Sequence, residues 1–498
     1  MTTITVGESY DASPYPAHAY WRTHPDQLCV MATLFGMTPA PVDRCRVLEL
    51  GCAVGGNLLP MAAASPTSQF VGIDLSPVQI EHANAAATAL GLDNLTFITG
   101  DLSQLSTLEG LDEAPFDYII AHGVYSWVAT DVRDAMMDGI RARLAPQGVA
   151  YISYNTLPGW HDLATLRDLM RFHTEQFSDA EVQTDQALAI AEWLAARANA
   201  TMGDARAAVL ERELASLRDR PRAGIPHEFL SETNTALLFR DFVRHAETHA
   251  MRYLSDASPW AMRLENFDAD LQALLAPVTG LVRQMQYVDF VAHRRFRRTL
   301  LCHAEVPLER RVDSSVLSTM TLLPAFQASP ELDDPTVELP LTVKNRLGAS
   351  VPIRDPIVRL ALSILFPNPR LAVPFDTLVE QVRGRLETTD LTAPDDLAKH
   401  LAPALLRLVF AEVIRPSTRV VAVATTVTAH PETGALQRWQ AGQDSFASNL
   451  WHEHMPLDET ARQSLLMLDG TKTREQLEAI FPAGLLERFV EAGFLIAQ

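Results

Sequence analysis

The sequence predicts an α/β core, a mostly parallel sheet with helices on both faces, followed by a mainly helical C-terminal region. Three observations predict it. Short, near-continuous apolar runs alternate with helical stretches over the first third, as strands buried on both faces and joined by crossovers do. The stretch Leu163–Arg220, dominated by Ala, Leu, Glu and Arg, has helical character and no strand candidate. Strand-like runs then return at 251–257 and 297–306.

The elements follow in order. RVLEL (46–50) is an apolar strand that ends at Gly51, and a short helix runs through Asn57–Ala64. FVGID (70–74) is a second strand. Ser76 suits the N-cap of the next helix, Pro77 its first turn and Gly91 its end. LTFITGD (95–101), FDYIIAHG (116–123) and GVAYISYN (148–155) are three further strands, with a helix over Asp131–Leu144. MRYLSDA (251–257) and RRTLLCHAEV (297–306), separated by a helix around Ala269–His293, read as the last two strands of the same sheet. The core is then discontinuous, with the helical stretch inserted after the fifth strand. HRRFRR (293–298) reads as a solvated helix face, with a binding patch as the alternative.

Ala325–Pro340, rich in Pro, Asp and Ser, reads as a linker. Beyond it, helices at 355–366, 374–386 and 394–408, with a strand at 419–427 and a hairpin near 430–434, suggest a winged-helix-like unit. A weaker version recurs from 458 to 492. The expected division is a core domain over 1–162, a helical middle region over 163–310 that supplies the last two strands, a linker over 311–345 and a C-terminal domain over 346–498.

A length of 498 residues implies several domains, and 47% hydrophobic with 20% charged residues is ordinary for a globular chain. The formal charge of −20 argues against a nonspecific grip on nucleic acid. The four cysteines, Cys29, Cys45, Cys52 and Cys302, form no CxxC or Cys/His zinc spacing, so neither a disulfide framework nor a metal site is expected. No secretory pattern opens the sequence and no run of about 18 apolar residues occurs, which leads to an expectation of a cytoplasmic protein without membrane insertion.

The chemistry concentrates at VLELGCAVGGNL (47–58). A nicotinamide fold wants GxGxxG and a Walker loop wants GK[ST]; neither is present. The order E-x-G-x-x-x-G, with Glu49 before Gly51 and Gly55, repels a pyrophosphate but suits a cationic ligand. S-adenosylmethionine is such a ligand. Asp74, at the end of the second strand, suits ribose hydroxyls, and Asp101, ending the third, suits an adenine amino group; each is also a candidate helix cap.

The sequence resembles class I, seven-stranded methyltransferases. YDASPYPAHAYWRTHPDQL (10–28), ELGCAVGGNL, AHGVYSWV (121–128), YNTLPGW (154–160), DFVAHRRFRRTLLCH (289–303) and LDGTKTREQL (468–477) are together similar to the bacterial methyltransferases with a methyltransferase regulatory domain. That group includes protein-lysine methyltransferases with a winged-helix-like C-terminal domain. The resemblance implies S-adenosylmethionine as cofactor, held by Glu49, Gly51, Cys52, Ala53, Gly55, Asn57, Asp74, Leu75, Asp101, Leu102 and His122.

In this fold the acceptor site lies at the carboxyl ends of strands four and five. Tyr15, His122, Tyr125, Trp127 and Asn155 are the catalytic candidates there. Tyr10, Trp21, Tyr154 and Trp160 add to an aromatic slot for an alkylamine, the alternative being packing under the sheet rim. Asn155 orients the amine or caps a turn. AHGVYSW replaces the [DN]PP[YF] element of DNA amino-methylating enzymes, which argues against a nucleobase. The readings left open are methylation of a protein lysine, methylation of a small molecule, and non-catalytic S-adenosylmethionine binding. A homodimer is compatible with all three.

Overall fold

The computed structural model describes residues 18–201, 204–220, 222, 224–327, 330–334 and 337–498. Tyr10 and Tyr15 lie outside the described residues. Seven strands form the central sheet: β1 (Arg46–Leu50), β2 (Gln69–Asp74), β3 (Leu95–Thr99), β4 (Phe116–Ala121), β5 (Leu144–Asn155), β6 (Met251–Asp256) and β7 (Phe296–His303). Their spatial order is β3-β2-β1-β4-β5-β7-β6. The first five are parallel, and β7 runs antiparallel to both β5 and β6. The two late runs therefore complete the sheet, as expected.

The strands are apolar because both faces are covered. Val47, Leu48 and Leu50 of β1 and Tyr118, Ile119, Ile120 and Ala121 of β4 have no solvent exposure. The first helices are α1 (Pro25–Leu34), α2 (Leu58–Ala64), α3 (Pro77–Leu90) and α4 (Thr130–Arg143). Ser76 caps α3 by accepting from the Gln79 N–H, and Gly91 ends it in the left-handed conformation.

The insertion is helical: α5 (Trp160–Thr174), α6 (Ala180–Thr201) and α7 (Asp204–Arg218). It has its own apolar core, which includes Leu166, Met170, Ala191, Leu214 and Phe229. The chain returns to the sheet through α8 (Phe239–Thr248). The single helix expected around 269–293 is two, α9 (Ala269–Leu275) and α10 (Leu281–Val291), because Pro277 and the left-handed Gly280 divide them.

The basic run at 293–298 is not a solvated helix face; its second half, 296–298, opens β7. Arg297 is fully buried. Its guanidinium donates to Asp289 at 2.8 and 2.9 Å and to Asp256 at 2.6 Å, with the Phe239 ring 3.7 Å away. Burial alone would lower its pKa, but the two carboxylates hold it above the ordinary value. Arg294 pairs with Asp289 and Arg295 with the buried Glu213 of α7. Arg294, Arg295 and Arg297 are thus neutralised by acids, with Asp289 close in sequence and Asp256 and Glu213 remote.

The expected linker over 311–345 carries structure. Thr321–Pro324 is the middle strand of a small sheet between Val373–Pro374 and Ile414–Ser417, and Leu341–Lys344 pairs with Ser350–Ile353. Met320, Leu322 and Leu323 are buried, which outweighs the Pro- and Asp-rich composition that follows them. The C-terminal helices are α11 (Pro356–Leu365), α12 (Phe375–Leu386), α13 (Leu397–Phe410), α14 (Ala435–Gln443), α15 (Glu459–Leu466), α16 (Arg474–Glu478) and α17 (Leu485–Ala492). The strand expected at 419–427 is displaced to Ile414–Ser417, which takes the free edge of Thr321–Pro324. The β-branched run after it makes only a single bridge, Val423 to Ile496. Among the described residues no helix is long and apolar enough to cross a membrane.

Replacing Arg297 with Leu leaves Asp256 and Asp289 buried without their shared cation. The expected loss of stability is about 3–5 kcal/mol, read from urea unfolding; an unchanged midpoint would show that the triad does not hold β6 and β7 in place.

Candidate active site

After β1 the backbone turns through left-handed conformations at Gly51 (φ +72°), Ala53 (φ +49°) and Gly55 (φ +75°). The N–H groups of Gly51 and Cys52 both donate to the Ile73 carbonyl, at 2.8 and 3.0 Å, which fixes the turn to β2. A Cβ on Gly51 would stand 2.4 Å from Val124 Cγ2, and one on Gly55 2.4 Å from Phe97 Cζ. Glycine is required at both positions by conformation and by space. The Cys52 side chain is buried under the turn, and its thiol pKa is pushed well up by burial.

Asp74 closes β2 beside the turn. Its Oδ2 accepts from the Ala53 N–H at 2.9 Å and its Oδ1 from the Ser76 N–H at 3.0 Å. The carboxylate is thereby locked at the strand end. Leu75 next to it is 43% exposed, an apolar surface at the rim. Asp101 is exposed and caps the turn Leu102–Gln104 by accepting from the Ser103 N–H at 2.8 Å.

Glu49 lies beneath the turn and is buried. Asn57 Nδ2 donates to its Oε1 at 2.7 Å, while Oε2 has no hydrogen-bond partner. Burial raises the carboxyl pKa to about 8, with the Asn57 hydrogen bond opposing and the Asp74 charge adding. Asn57 Nδ2 also donates to Thr23 Oγ1 at 3.0 Å, and Oδ1 accepts from the Tyr20 N–H at 3.0 Å and from His452 Nε2 at 2.9 Å. One amide thus joins the glycine turn, the segment before α1 and the C-terminal region.

The C-terminal contact is extensive. Tyr20 forms an antiparallel bridge with Glu453. His18 stacks near His454 and Phe446, with ring centroids 4.2 and 4.8 Å apart. Burial alone would raise the Glu453 pKa, but the guanidiniums of Arg346, Arg370 and Arg415 pull it down to about 2. Arg415 in turn lies over Trp21, 4.3 Å from the ring centroid.

His122 follows β4. Its Nδ1 is 3.1 Å from both Tyr151 Oη and Ser153 Oγ, and Ser153 Oγ accepts from the Gly123 N–H. Burial, helped by the Arg298 charge, lowers the His122 pKa to about 3, so the ring is neutral. The rings of Tyr20, Tyr151 and Phe296 stand 4.1, 5.7 and 6.1 Å from it. Tyr20 links this aromatic group to Asn57 through its own backbone.

Tyr125 is not brought to His122. Its ring packs with Tyr154 and Phe242, and its hydroxyl is 2.6 Å from His245 Nδ1. Trp127 packs against Trp160 at the core of the insertion. Asn155 sits at the end of β5, with its N–H donating to Ser126 and its Nδ2 to Asn234 Oδ1. Sequence reasoning missed Tyr20, Tyr151 and Phe296. The strand pleat held a signal: Tyr151 and Ser153 share one face of β5, and Tyr154 faces the other.

The unpartnered Glu49 oxygen, the glycine turn above it and the exposed Leu75 together fit a ligand with a cationic end and an apolar base. Glu49 also predicts a pH dependence. Its pKa is higher folded than unfolded, so its contribution is fully present below about pH 4.5 and is lost as pH rises through about 8. Between pH 5 and 9 the Glu49→Gln variant is expected to lose less unfolding free energy than the unsubstituted protein, by a few kcal/mol as an order of magnitude. Parallel pH profiles in urea unfolding would remove Glu49 as the cause.

The comparisons agree with this geometry. Residues 48–150 match a model described as "Methyltransferase domain", 221–303 one described as "Predicted methyltransferase regulatory domain" and 430–490 one described as "PKMT, C-terminal winged helix domain". An uncharacterized protein of Rickettsia prowazekii, RP789, is 31% identical over 488 residues, covering 96% of this chain and 86% of its own. A trans-aconitate 2-methyltransferase of Streptomyces avermitilis is 30% identical over 182 residues, covering 35% of this chain and 61% of its own. The solved structure of PKMT2 from Rickettsia typhi in complex with AdoHcy superimposes with a TM-score of 0.82 at 25% identity, covering 97% of this chain and 100% of that one. The chain belongs to the S-adenosylmethionine-dependent methyltransferases that carry the regulatory domain and the PKMT winged helix.

Proposed function

We propose that the chain methylates the side-chain amine of a lysine in a protein substrate. The observation that carries this reading is the near-whole-chain likeness to PKMT2, a protein lysine methyltransferase, in which the middle and C-terminal regions are shared as well as the sheet.

In this reading the cofactor lies along the carboxyl ends of β1 to β4. The turn from Gly51 to Asn57 holds its amino-acid end, and the unpartnered Glu49 oxygen lies beneath it, the carboxyl ionising as the cation binds. Asp74 accepts from the ribose hydroxyls, Leu75 and Leu102 cover the base, and Asp101 meets its amino group. When bound, S-adenosylmethionine supplies an electrophilic methyl carbon for in-line displacement.

The acceptor amine approaches beside His122, between Tyr20, Tyr151 and Phe296. A lysine at pH 7, with an ordinary pKa near 10.4, must give up roughly 4–5 kcal/mol to lose its proton. Burial against these rings and the nearby Arg298 charge both disfavour the ammonium form. His122 stays neutral and adds no cation beside the sulfonium. The His122 imidazole and the Tyr151 hydroxyl orient the polar edge of the slot, while the rings exclude water. Asn155 acts at one remove by holding the loop after β5. Tyr125 and Trp127 act at a distance, Tyr125 by anchoring the loop after β4 to α8 and Trp127 by anchoring it to the insertion.

Incubation with methyl-labelled S-adenosylmethionine and a cell lysate tests the acceptor. Label in the protein fraction, recovered as methyl-lysine after acid hydrolysis, is expected; label confined to metabolites would establish the small-molecule alternative. His122→Ala should lower turnover by about 100-fold, with cofactor affinity measured alongside by calorimetry. Undiminished turnover would place the acceptor elsewhere.

A further inference from the structure

Two helices on the sheet face away from His122 bring four metal-type side chains together. Asp134 and Asp138 lie one turn apart on α4. His245 lies on α8, and His249 follows one turn later at its C-terminal cap. His245 Nε2 is 2.8 Å from Asp134 Oδ1, and His249 Nε2 is 3.9 Å from the same oxygen. One ligand atom from each of Asp134, His245 and His249 lies within 4.8 Å of the others.

The opposite edge of each imidazole is also occupied. His245 Nδ1 is 2.6 Å from the Tyr125 hydroxyl, and His249 Nδ1 is 2.6 Å from Asp138 Oδ1. Metal-bound histidines characteristically donate the far N–H to an oxygen, which fixes the tautomer and aims the ligating lone pair. Two independent ion pairs would not need both Nε2 atoms to converge on one carboxylate oxygen. Asp134 is half exposed, which leaves water access to the remaining coordination positions. Arg133, a nearby cation, is held by Thr130 Oγ1 at 2.9 Å, and its guanidinium lies 5.8 Å from the Tyr125 ring.

We propose that Asp134, His245 and His249 bind one divalent transition-metal ion of the Zn²⁺ class, with Asp138 and Tyr125 orienting the two imidazoles. Two imidazoles and a carboxylate with open positions suit Zn²⁺ and its neighbours rather than Ca²⁺ or Mg²⁺. The ion clamps the crossover after β4 to the helix that leads into β6. The pairing was invisible to cysteine-based spacing. It arises only when HAETH (245–249) is folded against DAMMD (134–138).

Co²⁺ absorption and Zn²⁺ calorimetry on the full chain, after dialysis against EDTA, test the site. One equivalent is expected to bind, with the visible bands of a low-symmetry Co²⁺ complex. The His245→Asn/His249→Asn double variant should lose that equivalent, and Asp138→Asn should weaken binding by about 10- to 100-fold. Circular dichroism checks that the variants keep their fold. Absence of uptake by the unsubstituted protein overturns the proposal, as does equal uptake by the double variant.

Discussion

The carboxamide of Asn57 is the group on which the architecture around the glycine turn depends. An asparagine side chain offers two N–H donors and an oxygen with two lone pairs. Here the donors go to Glu49 and Thr23, and the oxygen receives the Tyr20 N–H and His452 Nε2. No isosteric residue does the same. Aspartate would set a second carboxylate against Glu49, and leucine would strand four buried polar groups, each costing about 1–3 kcal/mol. Because these partners belong to the sheet, the segment before α1 and the C-terminal region, the three cannot rearrange independently.

That coupling gives a physical reason for the length of the chain. A methyl donor site needs only the sheet and its loops, yet residues from beyond position 440 reach the turn. Glu453 binds three guanidiniums and bridges to Tyr20, while Arg415 lies on Trp21. Buried ion pairs of this sort contribute specificity of docking more than net stability. Their effect is to hold Tyr20 against His122 in one orientation, so the C-terminal region helps shape the surroundings of His122.

Much of the fold was legible in the sequence because the physics was local. Strands buried on both faces are apolar without interruption, and Ser76 and Gly91 announce the ends of α3 by capping chemistry. The glycine turn with Glu49 was readable for the same reason. What was not legible depends on distant partners. Arg297 has the composition of a surface residue until Asp256 and Asp289 are placed around it. The run at 419–427 has strand propensity, but no free edge remained for it. Tyr125 follows the carboxyl end of β4, as His122 does, yet its ring turns to α8. The Asn57–His452 pair, 395 positions apart, leaves no local trace.

The order in which the sheet is assembled has a consequence for synthesis. Strand β5 ends at Asn155 and its outer neighbour β7 begins at Phe296, with the helical insertion and β6 between them. At ribosomal rates of about 5–20 residues per second, roughly 7–30 s pass before that neighbour emerges. During this interval β5 presents an unpaired, apolar edge to other nascent chains. The helices of the insertion, with a core of their own, are made in that same window. The edge is closed only when β7 pairs with β5 and, on its other side, with β6.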